Sequence, residues 1–229
     1  MFTERTSVGL DVHARSIVAA GIDGATGEVF ERRLTPAYGD VAGWLGGLPG
    51  PVAVVYEAGP TGFGLYRHLV AAGFECAVVA PSKLQRPAGD RVKTDAKDAL
   101  HLAKLLRLGQ ITAVAVPTVD QEAARDLVRA REDARGDLMR ARHRLSKLLL
   151  RYGIVYSGGV AWTGKHDAWL RTQALVGLPV GATRLAFDND YEAVTMTTAR
   201  RDRLDTQIAA MAADSEFTNT VARLVLADK

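Results

Sequence analysis

Four acidic side chains, Asp11, Glu57, Asp95 and Asp98, carry the strongest chemical signal in this 229-residue chain. Asp11 interrupts an apolar alternation, Val8-Gly9-Leu10-Asp11-Val12, and Gly9 leaves room beside it on its own face. Glu57 follows the apolar run Val52 to Tyr56, at the strand end where open α/β sheets place their ligand sites. Asp95 and Asp98 are three positions apart in Lys93-Thr94-Asp95-Ala96-Lys97-Asp98-Ala99, so the first turn of a helix presents both on one face. Capping and the helix dipole alone explain that pair, at a few tenths to about 1 kcal/mol. All four together would repel unless cations lay between them. An all-oxygen donor set of this kind suits Mg²⁺ or Mn²⁺, and two ions would stabilise both the attacking and the leaving oxygen of a phosphodiester. Four unrelated acids on a solvated rim fit the spacing equally well.

The elements that must position these acids follow from periodicity. Residues 7–13, 16–22 and 27–34 read as three strands of an antiparallel meander, with a turn over Asp23 to Gly27. A short helix is expected over 40–45, then a buried strand at 52–56, a helix over about 61–72 and a second buried strand at 74–80, ended by Pro81. Thr94 is placed to cap a helix running to Leu108. The order β-β-β-α-β-α-β-α is that of a ribonuclease-H-like α/β domain with a mixed sheet and flanking helices. In it the Asp11 and Glu57 strands are neighbours, and the Asp95 helix packs near the same end.

Beyond Pro117 the pattern changes. Residues 120–152 contain no proline, and Ala134, Leu138, Ala141, Leu145, Leu148 and Tyr152 alternate spacings of four and three, a heptad seam. Continued backwards, the seam meets Arg131 and Leu127, so one seam position carries a charge. A loop-rich stretch is expected over 153–183, with Trp162 and Trp169 more apt to pack than to stack on bases. Further helix is expected over 190–213, able to pair antiparallel with the first, and over 217–226. The chain divides into an α/β domain, 1–118, and an α-helical region, 119–229.

Composition bounds the class. With 48% hydrophobic and 24% charged residues the chain supports a packed core. It has no apolar run of membrane-spanning length, and its first residues lack the apolar core of a signal peptide, so a cytoplasmic protein is expected and no membrane partner. The single cysteine, Cys76, cannot form an internal disulfide and reads as buried packing. A net charge of +3 is too small to identify a nucleic-acid binder, so the placement of the cations matters. Lys83, Arg86, Arg91, Lys93 and Lys97 flank the acids, and Arg140, Arg142, Arg144, Lys147 and Arg151 follow one another along the heptad helix with Asp137 as the opposing charge. Both groups suit phosphate backbones. A solvated helix face explains the second nearly as well.

Three blocks make the reading specific. Gly9-Leu10-Asp11-Val12-His13, Tyr56-Glu57-Ala58-Gly59-Pro60-Thr61-Gly62 and Lys93-Thr94-Asp95-Ala96-Lys97-Asp98-Ala99 resemble the signature blocks of the DEDD transposases of bacterial insertion-sequence family 110, relatives of the pilin-gene invertases. The resemblance implies a RuvC-like domain whose catalytic, metal-binding tetrad falls on Asp11, Glu57, Asp95 and Asp98. It gives His13 no role. It further implies a coiled-coil region through which protomers form a dimer or tetramer, a structured bridge RNA as guide, donor and target DNA as substrates, and a C-terminal domain with a nucleophilic serine. The glycine-rich block of that last domain is not found here: Ser157-Gly158-Gly159 and Ser215-Glu216 lack its pattern, so the chain reads as the front part of a longer transposase.

Competing readings are a non-catalytic module for nucleic-acid binding and oligomerisation, a free-standing junction nuclease, and an actin-like sugar kinase. The kinase needs a Gly-Thr turn directly after its strand aspartate, where this chain has Val12-His13-Ala14-Arg15.

Overall fold

The computed structural model describes residues 5–84, 94–213 and 217–218. The chain forms two compact units, Met1–Val116 and Pro117–Lys229.

The first unit is built on five strands, β1 (Thr6–Val12), β2 (Ile17–Ile22), β3 (Val29–Leu34), β4 (Val52–Glu57) and β5 (Glu75–Val79), in the order β3-β2-β1-β4-β5. The meander β1-β2-β3 is antiparallel, while β4 and β5 run parallel to β1. With helices on both faces, this is the ribonuclease-H-like mixed sheet. The crossover helices α1 (Tyr38–Gly46) and α2 (Gly64–Ala71) cover one face, where Val8, Leu10, Ile17, Val54, Tyr56 and Val78 pack with Val41, Leu45, Leu65 and Leu69. Tyr56 is fully buried there, and its hydroxyl accepts the Tyr66 backbone N–H at 3.1 Å, which removes the cost of an unpaired polar group.

The opposite face belongs to α3 (Asp95–Arg107), which lays Leu102 and Leu106 on Ala53, Val55 and Val79, and Ala99 on Val18 and Ala20. Gly9 sets how closely it can lie. A Cβ there would stand 2.1 Å from the Ala99 carbonyl oxygen and 2.7 Å from the Ala103 nitrogen, so only glycine permits this approach. Cys76 is half-buried on β5, and burial pushes its thiol up to about 12, in keeping with a packing role.

The second unit is a helical hairpin. The long α4 (Val119–Arg151) opens with a capping box in which the Thr118 hydroxyl accepts the Gln121 N–H and Gln121 reaches back to the Thr118 N–H. Its partner α7 (Ala182–Ala213) runs antiparallel to it, since Arg131 meets Asp205, Arg144 meets Asp190 and Tyr152 meets Thr183. The seam residues Ala134, Leu138, Ala141, Leu145 and Leu148 are buried as expected, within this chain's own unit. From Leu138 onward they join a core with Leu170, Ala174, Leu178, Phe187 and Val194. At the charged seam position the Arg131 Nε donates to Asp205 at 2.7 Å, while Tyr152 is exposed.

One expectation is refined and one corrected. The stretch 153–183 is loop-rich as expected, but within it Thr163 caps α5 (Gly164–Arg171) and a short α6 (Gln173–Val176) follows. The second long helix begins at Ala182, eight residues before the periodicity signalled it, because its first turns are largely exposed and carry a weak pattern. The expected helix over 217–226 lies outside the described residues, apart from Phe217 and Thr218. No described helix is long and apolar enough to cross a membrane.

Candidate metal and nucleic-acid site

Asp11 sits one residue from the end of β1, half-buried, on the face covered by α3. The parallel register Leu10↔Tyr56 means that Asp11 and Glu57 are the next residues on adjacent strands. Strand alternation then turns both toward α3, away from the Leu10 and Tyr56 side chains. Asp95 is the first residue of α3. Thr94, in extended backbone, caps the helix by accepting the Lys97 N–H at 3.4 Å, as its sequence position implies. Because Gly9 lets α3 rest directly on β1, the N-terminal end of the helix comes down beside the C-terminal end of the strand.

The outcome is a three-residue group. Among the described residues, potential ligand atoms of Asp11, His13 and Asp95 all lie within 4.8 Å of one another. The His13 Nε2 is 3.0 Å from Asp11 Oδ2 and 4.0 Å from Asp95 Oδ1. Glu57 and Asp98, both half-buried, are not members of this group. Sequence reasoning gave His13 no part in the site. The signal was available, since residues 11 and 13 share a face in any strand continued by one pleat.

A second neighbour was missed as well. The registers Asp11↔Val18 and Val18↔Arg33 form a row across the meander, so Arg33 on the edge strand shares the face of Asp11. Its guanidinium donates to Ser16 Oγ at 2.9 Å. Glu31, Arg32, Arg33, Val18, Thr94 and Asp95 line an open cleft of about 600 Å³. Positive charge thus stands beside the acids from β3.

Of the expected phosphate contacts near the acids, Lys97 is exposed on the first turn of α3. Arg86, Arg91, Lys93 and the side chain of Lys83 lie outside the described residues. On α4 the five cations do not share one face. Arg140, Arg144, Lys147 and Arg151, at helical spacings of four, three and four, form an exposed stripe. Arg142 points elsewhere: it is half-buried, with its guanidinium over the Trp162 ring at 5.0 Å. Within the stripe Arg140 pairs with Asp137, and Arg144 lies 3.8 Å from Asp190. The two tryptophans pack, with Trp162 edge-on to the buried His166 and Trp169 stacked on it.

Carboxylates with an imidazole are a donor set that divalent cations accept, so the residues fit the metal that a DEDD transposase implies. The family model described as a transposase, of the DEDD group of insertion-sequence family 110, matches residues 8–154. The protein of Sinorhizobium fredii named as the transposase y4qE is 52% identical over 118 residues, covering 52% of this chain and 30% of its own length. The transposase for insertion sequence element IS1533 of Leptospira borgpetersenii is 36% identical over 169 residues, covering 71% of this chain and 49% of its own length. The chain therefore spans half or less of the length of these relatives. With the signature blocks set on a ribonuclease-H-like sheet and the family match running through the first unit and into α4, the chain belongs to the DEDD transposase family of insertion-sequence family 110.

Proposed function

We propose that this chain is the RuvC-like and coiled-coil part, residues 1–118 and 119–229, of a transposase that recombines DNA. In this reading a divalent metal, Mg²⁺ or Mn²⁺ as two ions, is held by Asp11, Glu57, Asp95 and Asp98, and a structured bridge RNA guides the protein to donor and target DNA. The observation that carries it is the close approach of α3 to β1, which sets Asp95 beside Asp11 at the edge of a cleft that Arg32 and Arg33 also line.

When bound, the metal would supply Lewis-acid stabilisation to the oxygens of a phosphodiester. The chain's own residues have separate tasks. Asp11 and Glu57 project from paired strands, and Asp95 and Asp98 from a capped first turn, so all four start from rigid backbone. Arg33 and Lys97 hold the phosphate backbone near the acids, and the stripe Arg140, Arg144, Lys147, Arg151 meets RNA phosphates. Homo-oligomerisation through the helical region uses its outer faces, since the seam is covered within the chain.

Calorimetric titration with Mn²⁺ tests the tetrad. Wild type is expected to bind, and Asp98→Asn to bind much more weakly. Equal binding by the variant would remove Asp98 from the site, and absence of binding by wild type would remove the metal.

A further inference from the structure

We propose that His13 is itself a metal ligand, through Nε2, and shares with Asp11 and Asp95 a site of mixed nitrogen and oxygen donors. The inference rests on the metal reading above and extends it to a residue that the acidic tetrad does not contain.

The argument is geometric. An octahedral ion with bonds of about 2.1 Å holds adjacent ligand atoms about 3.0 Å apart and opposite ones about 4.2 Å apart. The His13 Nε2 to Asp11 Oδ2 separation of 3.0 Å, bridged here by a hydrogen bond, equals that of an adjacent pair, so an ion that replaced the shared proton would need the two groups only to turn toward it. The 4.0 Å from His13 Nε2 to Asp95 Oδ1 falls between the two values and within reach of a small side-chain rotation. The third separation also lies within 4.8 Å. Three donors from two elements therefore lie close enough together to reach one ion.

The backbone supports this placement. His13 stands just past β1, and its N–H donates to the Ser16 carbonyl at 3.0 Å, closing the turn into β2. The turn fixes the Cα of His13 two residues beyond Asp11, so both side chains leave the same face. The imidazole itself is about half exposed, at 54%, and is not held by core packing. Its Nε2 is held toward the acids by the hydrogen bond to Asp11 Oδ2.

Imidazole nitrogen shifts metal preference. Mg²⁺ favours all-oxygen sites, whereas Mn²⁺ and later transition ions accept nitrogen readily. Replacing His13 should accordingly weaken Mn²⁺ binding more than Mg²⁺ binding.

The test is pulsed electron spin-echo spectroscopy of Mn²⁺ bound to the full chain, because a directly coordinated imidazole imposes a nitrogen modulation that water and carboxylate do not. Wild type is expected to show that modulation and His13→Gln to lose it, while its Mn²⁺ affinity falls roughly tenfold or more, the scale on which lost partners of a metal site act. Four other histidines are present in the chain, so modulation that persists in His13→Gln would assign the nitrogen elsewhere and overturn the proposal. Mn²⁺ bound by wild type without nitrogen modulation would also overturn it and leave the acidic site standing. Failure of wild type to bind Mn²⁺ would overturn the underlying metal reading and this inference with it.

Discussion

Gly9→Ala is the sharpest single perturbation of the α/β unit. The added Cβ would sit 2.1 Å from the Ala99 carbonyl oxygen and 2.7 Å from both the Ala103 nitrogen and the Leu102 Cβ. Two of those atoms are helix backbone and cannot rotate away. To restore a carbon–oxygen separation of about 3.3 Å, α3 and β1 must part by about 1 Å. Overpacking of this kind costs about 1–3 kcal/mol, against which the entropy that alanine recovers over glycine in a strand returns only about 0.5–1 kcal/mol. The net loss should lower the melting temperature by a few degrees, since ~1 kcal/mol moves a domain of this size by roughly 3–5 °C. The same displacement carries Asp95 away from Asp11 and His13, and metal–ligand distances tolerate only about 0.2 Å. Scanning calorimetry and Mn²⁺ titration below the variant's melt should therefore both register the change. Gly43→Ala is the control: it lies inside α1, a Cβ there meets nothing within 4 Å, and the substitution should be neutral or stabilising. A Gly9→Ala protein that melts within about 2 °C of wild type and binds Mn²⁺ equally would refute the idea that this contact sets the site.

Three further outcomes are expected. Burial holds the His166 pKa below its ordinary value, and its Nδ1 accepts the Trp162 N–H at 3.1 Å, so the folded helical unit refuses a proton that the unfolded chain takes up below about pH 6.5. Stability of that unit should fall as pH drops through this range. It should stay flat in His166→Gln, read by tryptophan emission in a Trp44→Phe background; an identical slope in both proteins would contradict the assignment. Leu145 is fully buried within the hairpin, so Leu145→Lys should cost about 3 kcal/mol or more and reduce the far-ultraviolet helix signal. A fully helical variant of lower mass by light scattering would instead show that the seam faces a second protomer. Gel shifts of the element's non-coding RNA across salt concentrations should give a log-log slope of roughly −3 to −5 for ~5 neutralised phosphates. Lys147→Glu combined with Arg151→Glu should make the slope shallower by about 1.5, and an unchanged slope would remove the α4 stripe from the interface.

The strands were legible because Asp11 interrupts an alternating pattern in the first, the parallel strands at 52–56 and 74–80 are short apolar runs, and each crossover helix is bounded by Gly or Pro. The α3 cap was legible because Thr94 and the acids after it are a local signal. His13 and Arg33 were missed, for two different reasons. His13 is judged by side-chain type, and an isolated histidine is ordinary until another element brings an acid to within 4.0 Å of it. Arg33 gains its place only through two successive cross-strand registers, which no local pattern states. On α4 the five cations look alike in sequence. Helical phase alone separates Arg142 from the stripe, and its partner Trp162 comes from the connection that reads as loop.

The antiparallel return of α7 has a mechanical consequence. The polypeptide enters the hairpin at Val119 and comes back to Ala213 at the same end, where Gln121, Ala124, Ile208 and Ala212 line one cleft. The 33 residues of α4 extend about 50 Å, and α5 and α6 pack along the half of the hairpin away from its feet. The hairpin is thus a boom whose two feet stay together whatever its reach. Whole heptads added to both arms would lengthen it and carry the basic stripe outward, leaving the points of departure and return where they are.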